Sequence, residues 1–248
     1  MQHDVNRRRI GLILPSVNIR MEPEFNRCPQ LHDFNFYTTR VMLDDTTEET
    51  LKAMEKDLIH AARMLSTICP EVVVYGCTSG SFISGMSGNQ HIIQTVQSIC
   101  QCPVVTTSEA MIQSMQELGV SKISMVTPYT DDINEKEKEF FQKNGIDVVA
   151  MKGLQFVRAE DIRTCPAEEI EQLVIATDTD QAQAVFISCT NVEGFQISQA
   201  LEERLHKPVV SSNIATLWAM LRCIPHQVRI PDHGTLLRDH LQSSACLS

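Results

Sequence analysis

Short apolar runs alternate with longer amphipathic stretches along the whole chain. The runs are rich in β-branched residues and do not alternate apolar with polar positions, which is typical of strands covered on both faces. Eight of these runs predict strands, at residues 10–14, 34–37, 72–75, 104–105, 123–126, 148–151, 184–187 and 209–210.

Polar capping residues mark where helices begin between these strands. Thr46 or Thr47 begins a long helix that runs to Leu65, and the acidic residues Glu48 and Glu49 favour its first turn. Four more helices are predicted. The first runs from Ser108 to Gly119, and the second follows Asp131 and Asp132 and stops at Asn144 and Gly145. The third has Pro166 in its first turn, and the fourth runs from Asn191 or its neighbour to Leu205.

Strands that alternate with helices predict an α/β fold with a mostly parallel sheet and right-handed crossovers. The chain also repeats itself: RIGLILPS (9–16) resembles KISMVTPY (122–129), VVVYGCTSG (72–80) resembles AVFISCTNV (184–192), and CPVVTTSEA (102–110) resembles KPVVSSNIA (207–215). Three matches in the same order, at shifts of 113, 112 and 105 residues, indicate an internal duplication. We therefore predict two similar parallel-sheet lobes related by a pseudo-two-fold axis. Residues 1–113 with 214–248 form the first lobe and residues 114–213 the second, with the active site in the cleft between them.

Composition narrows the class of protein. The chain has 248 residues, 43% of them hydrophobic, which is enough to bury one large core or two of ordinary size. No apolar run reaches the length of a membrane span, and the one after Arg9 is too short for a signal peptide, so a cytoplasmic protein without a membrane partner is expected. A net charge of −10 argues against a nucleic-acid partner, which needs a basic surface.

Nine cysteines are many for such a chain, but the number is odd and no CxxC pair occurs, which argues against a disulfide framework or a zinc ribbon. Cys100 and Cys102 form a CxC without a second ligand pair, and the histidines have no metal-ligand spacing. The glycines at 80, 85 and 88 do not form a nucleotide-binding fingerprint. We therefore predict neither a metal nor an organic cofactor.

Two of the cysteines occupy equivalent places in the duplication. Cys77 and Cys189 each follow a strand and precede a threonine, and ligands of parallel α/β folds bind at the carboxyl ends of strands. Two facing lobes would bring both thiols to one small molecule, and a helix N-terminus near each sulfur is expected to lower its pKa. The hydroxyl and N–H groups of Thr78, Ser79 and Thr190 are suited to holding a carboxylate.

At these residues the sequence resembles the aspartate/glutamate racemase superfamily, whose members pair two half-site cysteines across a cleft between duplicated lobes. The resemblance covers essentially the whole chain. Three segments, PSVNIRMEPEF (15–25), TPYTDDIN (127–134) and VVSSNIATLW (209–218), are similar to the branch of maleate cis-trans isomerases and arylmalonate decarboxylases. The resemblance implies a cofactor-independent isomerase for a small carboxylate or dicarboxylate, by addition of sulfur to the alkene, rotation and elimination.

The resemblance also implies residue roles. Cys77 would be the nucleophile and Cys189 its partner acid/base. The expected substrate-binding residues are Pro15, Ser16, Asn18, Thr78, Ser79, Tyr129, Thr190 and Asn191. Two departures from the pattern put the identity of the substrate in question: Val17 replaces a small polar residue, and no amide residue occurs at Arg158-Ala159-Glu160-Asp161.

Other functions use the same scaffold. An amino-acid racemase of the aspartate or glutamate type would use the two thiols to remove and deliver a proton on opposite faces of Cα. A decarboxylase of the arylmalonate type has glycine in place of the first cysteine, so Cys77 argues against it. A non-catalytic small-acid binding protein is the remaining alternative. Cofactor-free α/β enzymes of this size are often dimers, so a homodimer is one option, although no face of the chain indicates an interface.

Overall fold

Two separate four-stranded parallel sheets form the framework of the protein. The computed structural model describes residues 7–241. The first sheet has the order β2-β1-β3-β4 and the second the order β6-β5-β7-β8. Their strands are β1 (Arg8–Pro15), β2 (Phe34–Val41), β3 (Val72–Tyr75), β4 (Val104–Thr106), β5 (Lys122–Thr127), β6 (Asp147–Gly153), β7 (Ala184–Ile187) and β8 (Val209–Ser211).

The two sheets have the same topology, and every neighbouring pair of strands is parallel. The eight predicted strands and the predicted duplication are therefore confirmed. Strands β3 and β7 are buried along their whole length, because helices cover both faces of each sheet. This cover explains why their sequences are continuous apolar runs.

Twelve α-helices connect or cover the strands in the described part of the chain. They are α1 (Met21–Arg27), α2 (Glu48–Ala53), α3 (Glu55–Ser66), α4 (Thr78–Phe82), α5 (Gly85–Cys100), α6 (Thr107–Glu117), α7 (Asp131–Lys143), α8 (Ala159–Thr164), α9 (Ala167–Thr177), α10 (Ser198–Leu205), α11 (Ser212–Arg222) and α12 (Thr235–Asp239). None of these helices is long and apolar enough to cross a membrane.

Three helix predictions need correction. The helix expected to run to Leu65 is divided into α2 and α3 at Met54, although Thr47 caps it as predicted. The cap of α6 is Thr106 rather than Ser108, because the Thr106 hydroxyl accepts the Glu109 N–H.

The helix predicted from Asn191 is wrong over its first part. Helix α10 begins only at Ser198. The preceding loop starts at Cys189 with φ +91°, outside the right-handed helical region. The side chain of Asn191 bonds to the Val17 carbonyl group of the other half of the molecule, so this loop is shaped by contact with the first sheet and its helices.

Helix α11 lies where the two halves of the fold meet. It packs along α6 and also contacts β3 and β4 of the first sheet and β8 of the second. Its indole group, Trp218 Nε1, donates to the His240 carbonyl group at 2.8 Å and holds the C-terminal segment on the helix. The first residue of α11 is therefore positioned by both sheets.

Candidate active site

The carboxyl ends of the central strands of both sheets converge on one small cavity. Strands β1 and β3 contribute from one side, and β5 and β7 contribute from the other. The cavity is lined by Pro15, Val17, Asn18, Leu43, Thr46, Cys77, Thr78, Ser79, Tyr129, Ala159, Ile162, Cys189, Thr190 and Asn191. Equivalent ends of duplicated units therefore form a single site, as ligand binding at strand ends requires.

Cys77 is the last residue before the short helix α4 and acts as its N-cap. Its Sγ accepts a hydrogen bond from the Gly80 N–H at 3.3 Å, and Ser79 Oγ lies 4.0 Å away. A Cβ atom at Gly80 would lie 2.9 Å from this sulfur, so glycine permits the close approach. The first N–H groups of a helix have no acceptor within the helix. These groups can stabilise negative charge at Cys77 or on a ligand beside it.

Cys189 has a different backbone setting. Its φ of +91° is unusual for a residue other than glycine, and such strain concentrates at functional sites. The Cys189 N–H donates to Ser212 Oγ at 3.1 Å, and Sγ accepts the Asn191 N–H at 3.4 Å. The hydroxyl of Tyr129 is a further hydrogen-bond partner of this sulfur. The surrounding groups therefore hold the strained residue in place.

Burial controls the protonation of both thiols. It raises the pKa of Cys77 to about 11 and that of Cys189 to about 12. Hydrogen bonds lower both values, but by less than burial raises them. The prediction that a helix N-terminus lowers the pKa of each sulfur is therefore wrong. At Cys77 burial raises the pKa by more than the start of α4 lowers it. At Cys189 no helix begins directly after the residue.

The charges of the two thiols both affect the pKa of Tyr129. A charge on Cys77 raises the pKa of Cys189 and that of Tyr129, and a charge on Cys189 raises the pKa of Tyr129 as well. Tyr129 is 1% exposed, and its pKa lies well above the ordinary value because of burial first and these charges second. It is a neutral hydrogen-bond donor to the Cys189 sulfur.

Amide side chains join the two halves of the site. Asn18 Nδ2 donates to the carbonyl oxygen of Thr190 at 3.1 Å and to its hydroxyl at 3.0 Å. The same hydroxyl donates to the Gly76 carbonyl group at 3.2 Å. In the other direction, Asn191 Nδ2 donates to the Val17 carbonyl group at 3.1 Å. Both amides line the cavity, and the nitrogen of each donates to a contact between the halves.

Ser212, at the start of α11, joins the two cysteine segments directly. Its Oγ accepts the Thr78 hydroxyl at 2.9 Å and the Cys189 N–H at 3.1 Å. The side chain is fully buried. A single hydroxyl thus fixes the spacing between the residue after Cys77 and the backbone of Cys189.

The rim of the cavity is formed by two loops that bond across the cleft. Asp45 and Arg158 form an isolated antiparallel bridge. Beside it the Thr46 N–H donates to the Val157 carbonyl group at 2.9 Å, and the Ala159 N–H donates to Asp45 Oδ1 at 3.4 Å. Thr46 and Ala159 are therefore brought to the cavity by this contact.

One wall of the cavity is apolar and the lining carries no cation. Val17, Leu43, Ala159 and Ile162 form this wall, and no lysine, arginine or histidine lines the cavity in the described part of the chain. An anion in this site would be held by neutral donors. Among residues 7–241, no group of three or more histidine, cysteine or acidic side chains is arranged to hold a metal ion.

The structure brings together every predicted site residue except Ser16. The Ser16 hydroxyl instead donates to the Leu43 carbonyl group at 3.1 Å and accepts the Leu43 N–H at 3.1 Å, so it supports the wall from behind. Sequence reasoning missed Leu43, Thr46 and Ile162. They lie in or after loops without a motif, and only contact between the two halves brings them to the cavity.

The segment 158–161 contributes its apolar side to the site. Arg158 pairs with Glu160 at 2.5 Å, and both side chains are more than half exposed. Ala159 and Ile162 instead face the cavity. Apolar side chains therefore stand where the resemblance implies an amide residue, and Arg158 lies outside the cavity.

Comparisons with known proteins give a consistent result. A family model described as arylmalonate decarboxylase matches residues 10–237. The maleate isomerase of Alcaligenes faecalis is 26% identical over 243 residues, covering 92% of this chain and 96% of that protein. The arylmalonate decarboxylase of Bordetella bronchiseptica is 26% identical over 195 residues, covering 77% and 80%. The crystal structure of the maleate isomerase Iso from Pseudomonas putida S16 is 25% identical, with a TM-score of 0.89 over 94% of this chain and 98% of that one.

Proposed function

The chain belongs to the arylmalonate decarboxylase family. We propose that it is a cofactor-independent isomerase, which converts a small cis dicarboxylate of the maleate type to its trans isomer. The observation that carries this proposal is the convergence of Cys77 and Cys189 from matching strand ends on one cavity. The extent of similarity to maleate isomerases supports the same reaction, since the A. faecalis isomerase is matched over 96% of its length.

Cys77 is the nucleophile in this proposal. No helix begins directly after Cys189, whereas Cys77 is the N-cap of α4. Its sulfur also accepts an N–H group at the beginning of α4. A thiolate, rather than a thiol, attacks carbon. These features favour Cys77 for addition and leave Cys189 protonated.

The reaction then conserves protons and electrons. Cys77 first releases its proton to solvent, because burial raises its pKa to about 11 and the resting thiol is protonated. The thiolate then forms a carbon–sulfur bond with one alkene carbon, and the π-electron pair moves to the other carbon, where the adjacent carboxylate spreads the charge. Cys189 gives its proton to that carbon, and the former double bond rotates. Cys189 then takes the proton back, the carbon–sulfur bond breaks, and its electrons leave with Cys77 as the trans double bond forms.

Neutral donors recognise the carboxylates. The N–H groups of Thr78 and Ser79 lie in the first turn of α4, where they have no acceptor within the helix. With the Ser79 and Tyr129 hydroxyls they stabilise the charge that develops on a carboxylate during addition. Pro15, Asn18, Thr190 and Asn191 also line the site, and its apolar side chains limit the substrate to a small, compact diacid.

The site lies between two lobes in this proposal, residues 1–113 with 214–248 and residues 114–213. The packing of α11 on α6 and its contacts with the first sheet support assigning the C-terminal part of the chain to the first lobe. Residues 1–6 and 242–248 of this division lie outside the described residues.

Proton NMR of the protein with maleate in D2O tests the function. We expect fumarate to form, and we expect Cys77→Ser and Cys189→Ser each to lower the rate by a factor of about 100 or more. Cys102→Ser is the matched control, because Cys102 is a half-buried thiol outside this cavity. Deuterium exchange into Cα of D-aspartate without any turnover of maleate would favour the racemase and reject the isomerase.

A further inference from the structure

The internal duplication places a buried glutamate behind each half of the site. The shift of 113 residues that carries Pro15 onto Pro128 also carries Glu24 onto Glu137. Glu24 is 6% exposed and Glu137 is fully buried. Burial raises the pKa of each carboxyl group to about 8. Both side chains are therefore neutral acids in the folded protein at neutral pH.

Glu137 lies directly behind the second cysteine. Its Oε1 accepts the Ser188 hydroxyl at 2.6 Å, and Ser188 is the residue before Cys189. Its Oε2 is buried without a hydrogen-bond partner. A negative charge on Glu137 acts on Cys189 and on Tyr129, and it raises the pKa of both. The carboxyl group thus influences the acid/base half of the site without reaching the cavity.

Glu24 has the same place in the repeat but different contacts. Its Oε2 accepts Asn213 Nδ2 at 2.5 Å, and the same amide nitrogen donates to the Thr190 carbonyl group at 3.1 Å. The charges that shift the pKa of Cys189 include Glu137 and do not include Glu24. Glu24 is therefore a matched internal comparison: an equivalent buried acid that does not act on the thiol.

We propose that Glu137 is a positioning residue for Cys189, held by Ser188, and that the enzyme works only while this carboxyl group is uncharged. An ionised Glu137 would place a like charge beside a group that must become a thiolate during the reaction. The proposed substrate is a dianion, and among residues 7–241 no lysine, arginine or histidine lines the cavity. The inference rests on the proposed function, since it assigns Cys189 a proton to give and take back.

The charges that raise the pKa of Cys189 are those of Cys77 and Glu137, and of these two groups Glu137, with a pKa of about 8, ionises between pH 7 and pH 9, whereas the pKa of Cys77 is about 11. The pKa of Glu137 is set by burial, which raises it, and by the Ser188 hydrogen bond, which lowers it. Helix α7, which carries Glu137, packs on β6, α4 and α5. Helix α4 has no ionisable side chain. The ionisable residues of β6 and α5 are the exposed Asp147, Lys152 and His91, and Cys100, whose Sγ donates to the Ala62 carbonyl group.

The test is the pH dependence of kcat/KM for maleate in Glu137→Gln. Glutamine keeps an oxygen that can accept the Ser188 hydroxyl, but it cannot ionise. A group with a pKa of about 8 is mostly neutral at about pH 7 and mostly ionised at about pH 9. The ratio of kcat/KM in the variant to that in the wild type should therefore rise about tenfold between these two pH values. A ratio that stays constant overturns the proposal, and so does a folded variant that is inactive at every pH.

Two further variants separate positioning from simple structural support. Glu24→Gln removes the equivalent buried acid, and the ratio of its kcat/KM to that of the wild type should not change with pH. A tenfold rise of this ratio between about pH 7 and about pH 9 would contradict the assignment to Glu137. Ser188→Ala removes the bond that lowers the pKa of Glu137, so the alkaline loss of activity should move to higher pH. If Ser188→Ala loses activity at the same alkaline pH as the wild type, the proposal is overturned, even if Glu137→Gln does not fold.

A readout without turnover keeps this inference distinct from the proposed function. In a Cys77→Ser background, the ultraviolet absorbance of the Cys189 thiolate should appear at lower pH when Glu137 is replaced by glutamine, because the like charge is gone. The same titration pH with and without Glu137→Gln overturns the inference. Failure to convert maleate, with this shift present, would reject the isomerase function alone.

Discussion

Replacing Ser212 with alanine should disturb both halves of the site at once. The Ser212 hydroxyl is the acceptor for the Thr78 hydroxyl and for the Cys189 N–H, at 2.9 and 3.1 Å. Alanine removes the acceptor and leaves the rest of α11 unchanged. The substitution therefore tests whether one buried hydroxyl sets the distance between the two cysteine segments.

The expected loss of unfolding free energy depends on whether each donor can find another acceptor after the substitution. The Cys189 N–H is fixed by the backbone, so it stays buried without an acceptor at a cost of about 1–3 kcal/mol. The Thr78 hydroxyl loses a bond worth about 1 kcal/mol. The free energy of unfolding should fall by about 3 kcal/mol in total, which lowers Tm by roughly 6–12 °C in a chain of this size. A displacement of about 1 Å between the reacting groups lowers kcat by a factor of about 100.

The assay combines thermal unfolding with turnover of maleate at saturating substrate. Thr216→Val is the control, because the Thr216 hydroxyl is equally buried one turn along α11 and bonds to Thr107 and to the Ser212 carbonyl group, away from the cavity. It should lower Tm by less and leave kcat unchanged. If Ser212→Ala lowers Tm and leaves kcat unchanged, the hydroxyl does not position the thiols. If Tm is also unchanged, the reasoning from buried donors is wrong.

Three further predictions concern other parts of the site. A Cβ atom at Gly153 would lie 2.4 Å from the Tyr129 backbone oxygen, so Gly153→Ala should lower the free energy of unfolding by about 1–3 kcal/mol and lower kcat; unchanged urea unfolding contradicts this. Because the pKa of Glu137 is about 8 in the folded state against 4.5 ordinarily, stability falls as pH rises through that interval. Glu137→Gln should thus stabilise the protein at about pH 8 and not at about pH 4, and equal urea midpoint shifts at both pH values would reject the sign. Arg158→Ala should leave KM for maleate unchanged, since Arg158 is exposed and paired with Glu160; a tenfold rise in KM would place it in the site.

The sequence predicts the framework well because the signals are local. Continuous apolar runs such as Val72–Tyr75 are short and rich in β-branched residues, which favours covered strands, and the repeated Cys-Thr pairs identify equivalent strand ends. Thr47 is recognised as a cap because its side-chain chemistry is decided within a few residues. The duplication then predicts that two thiols share one cavity, which is where the structure places them.

The rest of the site depends on contacts between distant segments. Leu43 and Ile162 meet only after the two halves pack together, so neither has a local signal. The pKa values of the thiols depend on burial, which a strand-end motif does not measure. Glu137 had a signal that could have been used: in the charged helix INEKEKEFF it shares the buried face with Ile133, Phe140 and Phe141. A glutamate on an apolar face indicates a buried carboxyl group.

Peptide mapping by mass spectrometry shows which of the two thiols bonds to the substrate. Cys189→Ser, incubated with maleate and then quenched with acid, should carry the added diacid on Cys77 through a carbon–sulfur bond, with the proton on the neighbouring carbon supplied by solvent, while Cys77→Ser should carry none. This result would show that the first thiol adds to the alkene and that the second is needed to complete the cycle. A wild-type protein that converts maleate while the diacid is found only on Cys189, or on a cysteine outside the cavity, would contradict the account.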